Sequence, residues 1–170
     1  RKIDILFPAQ GGGEALKSAM DSLFEKAERH ISDGANILVM TDRHITKDRC
    51  AIPSLLAVSG LHHHLIRKGL RSSCGLILET GEAREVMHFS LLVAFGITAI
   101  CPYVAFSTVR EMAEQEYLVE KKDPEEATDA YISAVKKGLL KSFSRMGIST
   151  IRSFFGSQIF EAVGIDKSVI

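Results

Sequence analysis

Strand-like and helix-like segments alternate through the first 120 residues, and this alternation constrains the fold more than any other feature of the sequence. Short apolar runs lie at residues 3–7, 37–40, 75–78 and 99–104, and a segment with helical spacing of apolar residues follows each one. The run at 37–40 is typical of a strand covered on both faces. Strand–helix–strand repetition with short loops requires parallel pairing through right-handed crossovers. The sequence therefore predicts an α/β domain built from parallel β/α units.

Glycine, proline and capping residues indicate where the helices begin and end. Three helices are expected over residues 14–33, 53–69 and 82–95. Thr108 and Glu111 have the spacing of a capping box, which predicts the start of a fourth helix. Such units fit part of an open doubly wound sheet or part of a (β/α) barrel, and the pattern alone does not separate the two.

Residues 121–170 differ in pattern and are predicted to form a mainly helical extension of the segment made by residues 1–120. A charged hinge at 121–126 also begins a helix, because Asp123 is a suitable N-cap and Pro124 fits the first turn. A strand is expected at 148–151 and a short last helix at 157–163. Because Arg1 leads straight into a strand-like run, we expect the chain to be an internal segment of a longer protein.

Composition excludes several classes of function. Lysine plus arginine equals aspartate plus glutamate at 21 each, so no basic field is available to bind nucleic acid or an anionic membrane. No apolar run is long enough to span a bilayer. The three cysteines, Cys50, Cys74 and Cys101, lack zinc or iron–sulfur spacing and are interpreted as reduced thiols. We therefore expect a cytoplasmic protein without a bound metal.

Polar residues follow three neighbouring strands of the predicted sheet, at residues 41–44, 79–85 and 106–108. Ligands of parallel α/β folds bind at the carboxyl ends of strands, where loops and helix amino termini converge. The charged residues there are Asp42, Arg43, Glu79, Glu82, Arg84 and Glu85. They could form a salt-bridged rim that guides a small polar molecule, or they could simply cap helices and pair with one another.

Three other groups of residues have simpler explanations. Consecutive helical residues point about 100° apart, so His62, His63 and His64 cannot converge on one metal ion, and His62 is interpreted as a core histidine. Gly11–Gly13 resembles a phosphate cradle but lacks the patterns of known phosphate loops. Lys141 and Arg145 lie one turn apart near a helix end, where complementarity to the helix dipole also explains them.

Several longer stretches, in their order, resemble the central domain of glutamate synthases. These stretches are residues 36–43, 52–58, 62–67, 79–86, 102–103, 137–141, 146–150 and 158–162. The resemblance covers about residues 30 to 165 and continues toward the start of the family's FMN-binding domain. It departs at Met87, at residues 93–96 and at Arg145, where the family usually has histidine, a GYG-like turn and lysine.

The resemblance implies a part of a large enzyme that converts glutamine, 2-oxoglutarate and reductant into two glutamates. In that family an amino-terminal cysteine hydrolyses glutamine, ammonia moves through a tunnel, and reduced FMN reduces the iminoglutarate. This segment would bind no cofactor, whereas the parent would hold FMN and an iron–sulfur cluster. Its partners would be the amidotransferase and FMN domains, between which it forms a barrel-like wall.

In this reading no residue of the segment is catalytic. The binding or tunnel-rim candidates are Asp42, Arg43, Glu79, Glu82, Arg84, Glu85, Lys141 and Arg145. One alternative is a stand-alone, barrel-derived protein that binds a small anion with Gly11–Gly13 and Arg84. The other is a structural protein whose apolar faces assemble with a partner or by self-association.

Overall fold

The computed structural model describes residues 1–157, 159–161 and 163–164. The strands are β1 (Lys2–Asp4), β2 (Leu6–Pro8), β3 (Ile37–Thr41), β4 (Arg49–Ala51), β5 (Gly75–Glu79) and β6 (Ala99–Cys101). The helices are α1 (Gly12–Ser32), α2 (Ser54–Arg67), α3 (Val86–Ala94), α4 (Tyr103–Glu114), α5 (Pro124–Arg145) and α6 (Ile151–Phe154). Short 3-10 turns at Ala9–Gly11 and Arg71–Ser73 precede α1 and β5.

Four strands form one parallel sheet in the order β1-β3-β5-β6. Each strand of this sheet lies beside the one that precedes it along the chain, and α1, α2 and α3 form the crossovers. Right-handed crossovers that advance in one direction place their helices on the same side of a sheet. The order does not reverse, as it would at the switch point of a doubly wound sheet. The prediction of parallel β/α units is confirmed, and they form part of a (β/α) barrel-like domain.

The two faces of this sheet have different environments, since alternate strand residues point to opposite sides. The helix-covered face carries fully buried side chains, among them Leu38, Met40, Leu76 and Leu78. On the other face Ile37 keeps 48% of its surface exposed, and Val39 and Ile77 are only partly buried. The expectation that residues 37–40 are covered on both faces is therefore wrong within the described part of the chain, because the helices pack on one side.

A small antiparallel ribbon replaces part of the expected first strand. β1 ends at Asp4, and residues 6–8 pair instead with β4. Ile5 links the sheet and the ribbon, since its N–H donates to the Thr41 carbonyl at 3.0 Å and its own carbonyl accepts from the Ile52 N–H at 2.9 Å. The prediction of one strand over residues 3–7 is wrong here, because the chain leaves β3 at Ile5 and pairs with β4 from Leu6 onward.

Two helices begin at residues other than the ones predicted. Residues 82–85 are not helical, and α3 begins after a capping box formed by Glu85 and His88. α4 begins at Tyr103, directly after β6, so Thr108 lies inside this helix. The capping box predicted at Thr108 is therefore wrong.

The helix predicted after the charged hinge is confirmed as α5. Its N-cap is Asp123, whose Oδ1 accepts from the N–H groups of Glu125 and Glu126 at 2.8 and 3.3 Å. α5 packs on α3 and α4. At the contact with α3, Gly138 lies so close to Val86 that an added Cβ would overlap it. The backbone of α5 thus approaches α3 more closely than a larger residue would allow.

The segment after α5 differs from the prediction. The strand expected at 148–151 is absent from the described residues, and Ile151–Phe154 form a short helix instead. This helix buries Phe154 completely, with its ring 4.1 Å from that of Phe143. The described residues within 157–163 are not helical, and Gln158 and Ala162 lie outside the described residues. The boundary between residues 1–120 and 121–170 stays a prediction.

Candidate functional site

A buried hydrogen-bond network centred on Asp42 lies at the carboxyl edge of the sheet. Asp42, Ser54 and Thr80 are each at least 97% buried. Thr80 Oγ1 donates to Asp42 Oδ2 at 2.6 Å, and the Gly81 N–H donates to the same oxygen at 3.0 Å. Because Thr80 gives its only hydroxyl hydrogen to Asp42, Ser54 is the donor in the 2.8 Å bond between their two hydroxyls. We call these three residues the Asp42 node.

The Asp42 node fixes the loop that follows β5. The N–H of Glu82 donates to Thr80 Oγ1 at 3.1 Å, so Thr80 accepts two hydrogen bonds and donates one. The Glu82 carboxylate turns back and accepts from the Ser54 N–H at 2.9 Å. Ser54 is the first residue of α2, where a negative charge complements the helix dipole. Glu82 therefore caps the helix between β3 and β5, not the helix that follows it in sequence.

A ladder of charges surrounds the node on the solvent side. Glu79 accepts from Lys2 Nζ at 3.1 Å and from Arg43 Nε at 3.0 Å. Burial alone would raise the pKa of Glu79, but hydrogen bonds from Thr41, Lys2 and Arg43 outweigh it and hold the pKa below the ordinary value. The hydrogen bond to Glu79 in turn raises the pKa of Arg43. We call Lys2, Arg43 and Glu79 the charged rim.

Tyr103 joins the charged rim to the node. The Arg43 guanidinium lies 4.1 Å from the centre of the Tyr103 ring, a cation–π contact. Burial, together with the hydrogen bond and negative charge of Asp42, raises the pKa of Tyr103 to about 12. The Tyr103 hydroxyl also lies against Gly81, where an added Cβ would be 3.4 Å from the hydroxyl oxygen. Tyr103 therefore stays a neutral phenol at physiological pH.

The other carboxyl-edge candidates serve the loop backbone. Glu85 caps α3, and His88 Nδ1 accepts from the N–H groups of Arg84 and Glu85 at 3.2 and 3.3 Å. The Arg84 carbonyl accepts from the Tyr131 hydroxyl of α5 at 2.9 Å. The guanidinium of Arg84 is exposed and makes no ion pair within the described part of the chain. Thus Asp42, Arg43, Glu79 and Glu82 share one network, whereas Arg84 and Glu85 flank it.

The amino edge of the sheet carries a different cluster. Arg71 donates to His62 Nδ1 at 2.9 Å and to the carbonyls of Cys74 and Gly96 at 2.7 and 2.9 Å. The ring of Phe155 packs edge-on against His62 at 6.0 Å between centroids. Burial, followed by the charge of Arg71, lowers the pKa of His62 to about 4. This His62–Arg71 clamp confirms the interpretation of His62 as a core histidine.

The position of α5 decides where Lys141 and Arg145 lie. α5 begins near the carboxyl edge, where Tyr131 contacts the Arg84 carbonyl. Its last turns reach the amino edge, where Phe143 packs on Phe154 beside the His62–Arg71 clamp. Lys141 and Arg145 are both exposed in these last turns. The structure therefore does not bring them together with the charged rim.

The histidine run and the cysteines are dispersed. His63 Nδ1 contacts the Ser59 carbonyl at 2.8 Å, and His64 Nε2 contacts Glu28 at 2.6 Å while its ring stacks on Phe24. The cysteines lie in β4, before β5 and in β6, and are exposed, buried and partly buried respectively: Cys50, Cys74 and Cys101. Among residues 1–157, 159–161 and 163–164, no three potential ligands share a metal-sized site. No helix in the same residues has the length and apolar character needed to cross a membrane.

Sequence reasoning missed four residues of this edge: Lys2, Ser54, Thr80 and Tyr103. Thr80 follows β5 directly and lies beside charged residues in the sequence, so its position could have indicated that it belongs to this edge. Ser54 follows a proline at a helix start, a position that reads equally well as an ordinary cap. Lys2 and Tyr103 gain their roles only because β1 and β6 flank the central strands. That strand order is not visible in local patterns.

Comparison with known proteins shows that this chain is similar to short segments of much longer proteins. A family model described as glutamate synthase central domain matches residues 1–166. The chain is 44% identical over 170 residues to the glutamate synthase [NADPH] large chain of Bacillus subtilis, covering all of this chain and 11% of that protein. It is 40% identical to the glutamate synthase [NADH] of Saccharomyces cerevisiae, covering 99% of this chain and 8% of that protein. It is 39% identical to the ferredoxin-dependent glutamate synthase of Pyropia yezoensis, covering 99% and 12%.

A solved structure supports the barrel-like architecture. The chain superposes on the crystal structure of DHODH from Eimeria tenella in complex with ferulenol with a TM-score of 0.55 and 16% identity. The match covers 84% of this chain and 36% of the DHODH chain. At this identity the likeness concerns the fold alone. It agrees with a sheet that forms part of a barrel.

Proposed function

Because this chain belongs to the glutamate synthase central-domain family, we propose that it is a connecting and positioning segment of a glutamate synthase. The parent would convert glutamine, 2-oxoglutarate and reductant into two glutamates. The segment spans 8 to 12% of the length of the relatives named above, and in this proposal the reacting groups belong to other parts of such a protein. In this proposal it separates the amidotransferase site from the FMN site.

The observation that carries the proposal is the self-contained bonding of the Asp42 node. Each hydroxyl of the node is engaged within it, and Asp42 accepts from both Thr80 and Gly81. A nucleophilic hydroxyl must be hydrogen-bonded to a base and accessible to the substrate. Thr80 is completely buried, so its hydroxyl is not accessible to a substrate. The node instead fixes the loop after β5 relative to α2. Its role is to position the charged rim.

We place the charged rim at the ammonia path of the parent enzyme. The rim offers paired charges next to rigid backbone, and a wall of paired charges retains a small polar molecule without binding it tightly. Lys2 and Arg43 share the one carboxylate of Glu79, so the rim keeps a net charge of only +1, which attracts a neutral molecule such as ammonia weakly. Arg84, at the flank, is the one carboxyl-edge candidate with an exposed cation and no ion pair in the described residues.

The described residues of this segment do not fit FMN or an iron–sulfur cluster. The three cysteines lie in separate elements, whereas a cluster needs convergent thiolates. At the carboxyl edge, where a barrel would bind a phosphate, the cations Lys2 and Arg43 are both paired with Glu79. The Ser54 N–H at the start of α2 is taken by the Glu82 carboxylate, so these groups are not free for a phosphate group. We therefore assign both cofactors to other parts of the parent.

The anion-binding alternative has less support. Gly11–Gly13 lie at the start of α1, whereas Arg84 follows β5, which is separated from β1 by β3. No hydrogen bond joins the two groups within residues 1–157, 159–161 and 163–164.

The test uses the full-length glutamate synthase that carries this segment, with Arg43→Ala and Glu79→Gln. If the rim borders the ammonia path, each variant consumes more glutamine per glutamate formed than the wild type, because ammonia escapes. Glutaminase turnover and synthesis from added ammonia stay near wild-type rates. Isotope-labelled glutamine, with free ammonia measured in parallel, gives the ratio directly.

Lys141→Ala is the matched control, because Lys141 is an exposed cation at the other edge of the sheet. It is expected to keep the wild-type ratio. An unchanged ratio in both rim variants would remove the ammonia path from the proposal. The isolated 170-residue chain is expected to show neither glutaminase turnover nor FMN reduction, and either activity would overturn the positioning role.

A further inference from the structure

The sheet face opposite the helices is an apolar surface that the proposed function leaves unexplained. Lys2, Val39, Ile77 and Ala99 lie in one row across β1, β3, β5 and β6, because they are register partners. Ile37 and Gly75 form the next row toward the amino edge. We call these six residues the helix-free face.

The helix-free face is apolar at its centre but does not belong to the core. Ile37 and Ala99 are exposed, and Val39 and Ile77 are partly buried. None of these four packs with the hydrophobic core, whereas Leu38, Leu76 and Ile100, their neighbours on the same strands, do. A parallel sheet is normally covered on both faces. An uncovered apolar centre in such a sheet marks a surface that a further structural layer covers.

Both borders of the sheet are also unfinished. β1 pairs only with β3, and β6 pairs only with β5, within the described part of the chain. Each outer strand therefore presents one row of unpaired backbone groups, which favours the addition of another strand. Closure of a barrel supplies strands that pair with both borders of the sheet. It also supplies side chains that fill the helix-free face.

The comparisons favour one kind of occupant. The match uses 84% of this chain but only 36% of the DHODH chain, so the DHODH chain extends well beyond the matched part. The relatives carry the matching segment as 8 to 12% of a single polypeptide. Units on the same polypeptide meet this face at a high effective concentration, which a separate copy does not have.

We propose that further parallel β/α units of the same long polypeptide cover the helix-free face and pair with β1 and β6 to close the barrel. This inference rests on the proposed function only in taking the chain as a segment of a longer protein. A second copy of this chain is the competing occupant.

The test measures cysteine labelling by a maleimide in the isolated chain and in the full-length polypeptide. Ile37→Cys and Ala99→Cys report on the helix-free face, in a background with Cys50→Ser and Cys101→Ser. The expected result is fast labelling of both in the isolated chain and about tenfold slower labelling in the full-length polypeptide, because burial suppresses thiol reactivity. Circular dichroism of each isolated variant confirms that it is folded.

Ile66→Cys is the matched control, because Ile66 on α2 is 51% exposed, close to the 48% of Ile37. It measures how far the full-length polypeptide slows the reagent at a site away from the helix-free face. Equal labelling rates of Ile37→Cys in the two proteins would overturn the proposal. So would protection that grows with concentration of the isolated chain while light scattering shows a dimer, since a second copy would then be the occupant. Labelling does not depend on catalysis, so protection in a polypeptide without glutamate synthase activity would refute only the proposed function.

Discussion

The two edges of the sheet hold their loops in place by different kinds of contact. At the carboxyl edge, loops are tied by a buried polar node under an open rim of charges, Lys2, Arg43 and Glu79. At the amino edge, the chain is closed by packed aromatic rings and the His62–Arg71 clamp. Barrel folds place function at the carboxyl edge and stability at the amino edge. The difference indicates that the contacts that stabilise this segment most lie at the amino edge, away from the charged rim.

Truncation of Phe154 tests the amino edge most strongly. Phe154→Ala is expected to lower the free energy of unfolding by about 4 kcal/mol, because it opens a cavity beside Phe143. Urea denaturation of the isolated chain measures the loss. Tyr117→Ala removes an aromatic ring that is 70% exposed and is expected to change stability by less than about 0.5 kcal/mol. Equal losses in the two variants would contradict the assignment of stability to this edge.

Removal of Asp42 tests the carboxyl edge. Asp42→Ala is expected to cost about 3 kcal/mol, because the Thr80 hydroxyl and the Gly81 N–H lose a charged acceptor while buried. The pKa of Tyr103, about 12 in the wild type, is expected to fall but to stay raised, since burial is its first cause. Ultraviolet titration follows this pKa in a background with Tyr117→Phe and Tyr131→Phe.

The control for Asp42 is Asp129→Ala on the exposed side of α5. It is expected to leave both the stability and the Tyr103 titration unchanged. An unaltered pKa of Tyr103 in Asp42→Ala would show that the phenol and the node are not coupled.

Acid tests the clamp at the amino edge. The pKa of His62 is about 4 in the folded protein and about 6.5 in an unfolded chain. The unfolded chain therefore takes up the proton first as the pH falls. The site contributes its full stability above about pH 6.5 and loses about 3 kcal/mol of it by about pH 4.

His62→Gln keeps an acceptor for Arg71 and removes this titration. The difference in stability between wild type and variant is expected to shift in favour of the variant between pH 6.5 and 4. A constant difference between wild type and His62→Gln across this range would contradict the buried clamp.

The smallest effect is expected at the charged rim. Lys2→Ala is expected to cost about 0.5 kcal/mol, because Arg43 still neutralises Glu79 and the Lys2 side chain is solvated. The loss is expected to disappear in 1 M salt, where the screening length is about 3 Å. Lys17→Ala, at an exposed position of α1, gives the baseline. A larger loss of stability in Lys2→Ala than in Asp42→Ala would show that the charged rim stabilises this edge more than the Asp42 node does.

Local sequence patterns predicted the repeating β/α units well, because each unit is determined by residues that are close together in the sequence. The runs at 37–40 and 75–78 and the Asp123 cap are each set within a few positions, and the structure has them close to where they were expected. The node was only half visible. Asp42 and Glu82 were recognised as charges after strands, but their partners Thr80 and Ser54 are small, common residues whose role depends on distant hydrogen bonds.

The errors have one shared cause, which is that tertiary contacts outweighed local preference. The ribbon at residues 6–8 forms because β4 comes back to pair with it, more than forty residues later. A strand was predicted at residues 148–151, yet burial of Phe154 against Phe143 favours a short helix at Ile151–Phe154. Lys141 and Arg145 were grouped with the rim because a helix pattern does not tell which edge its last turn reaches.

The strand order has a consequence for synthesis on the ribosome. Each strand of the parallel sheet finds its first neighbour already made, since β1, β3, β5 and β6 emerge in the order in which they lie side by side. Domains generally fold as units during translation. We therefore expect stalled nascent chains of increasing length to gain most of their protease resistance in one step, which comes when Phe154 has left the exit tunnel.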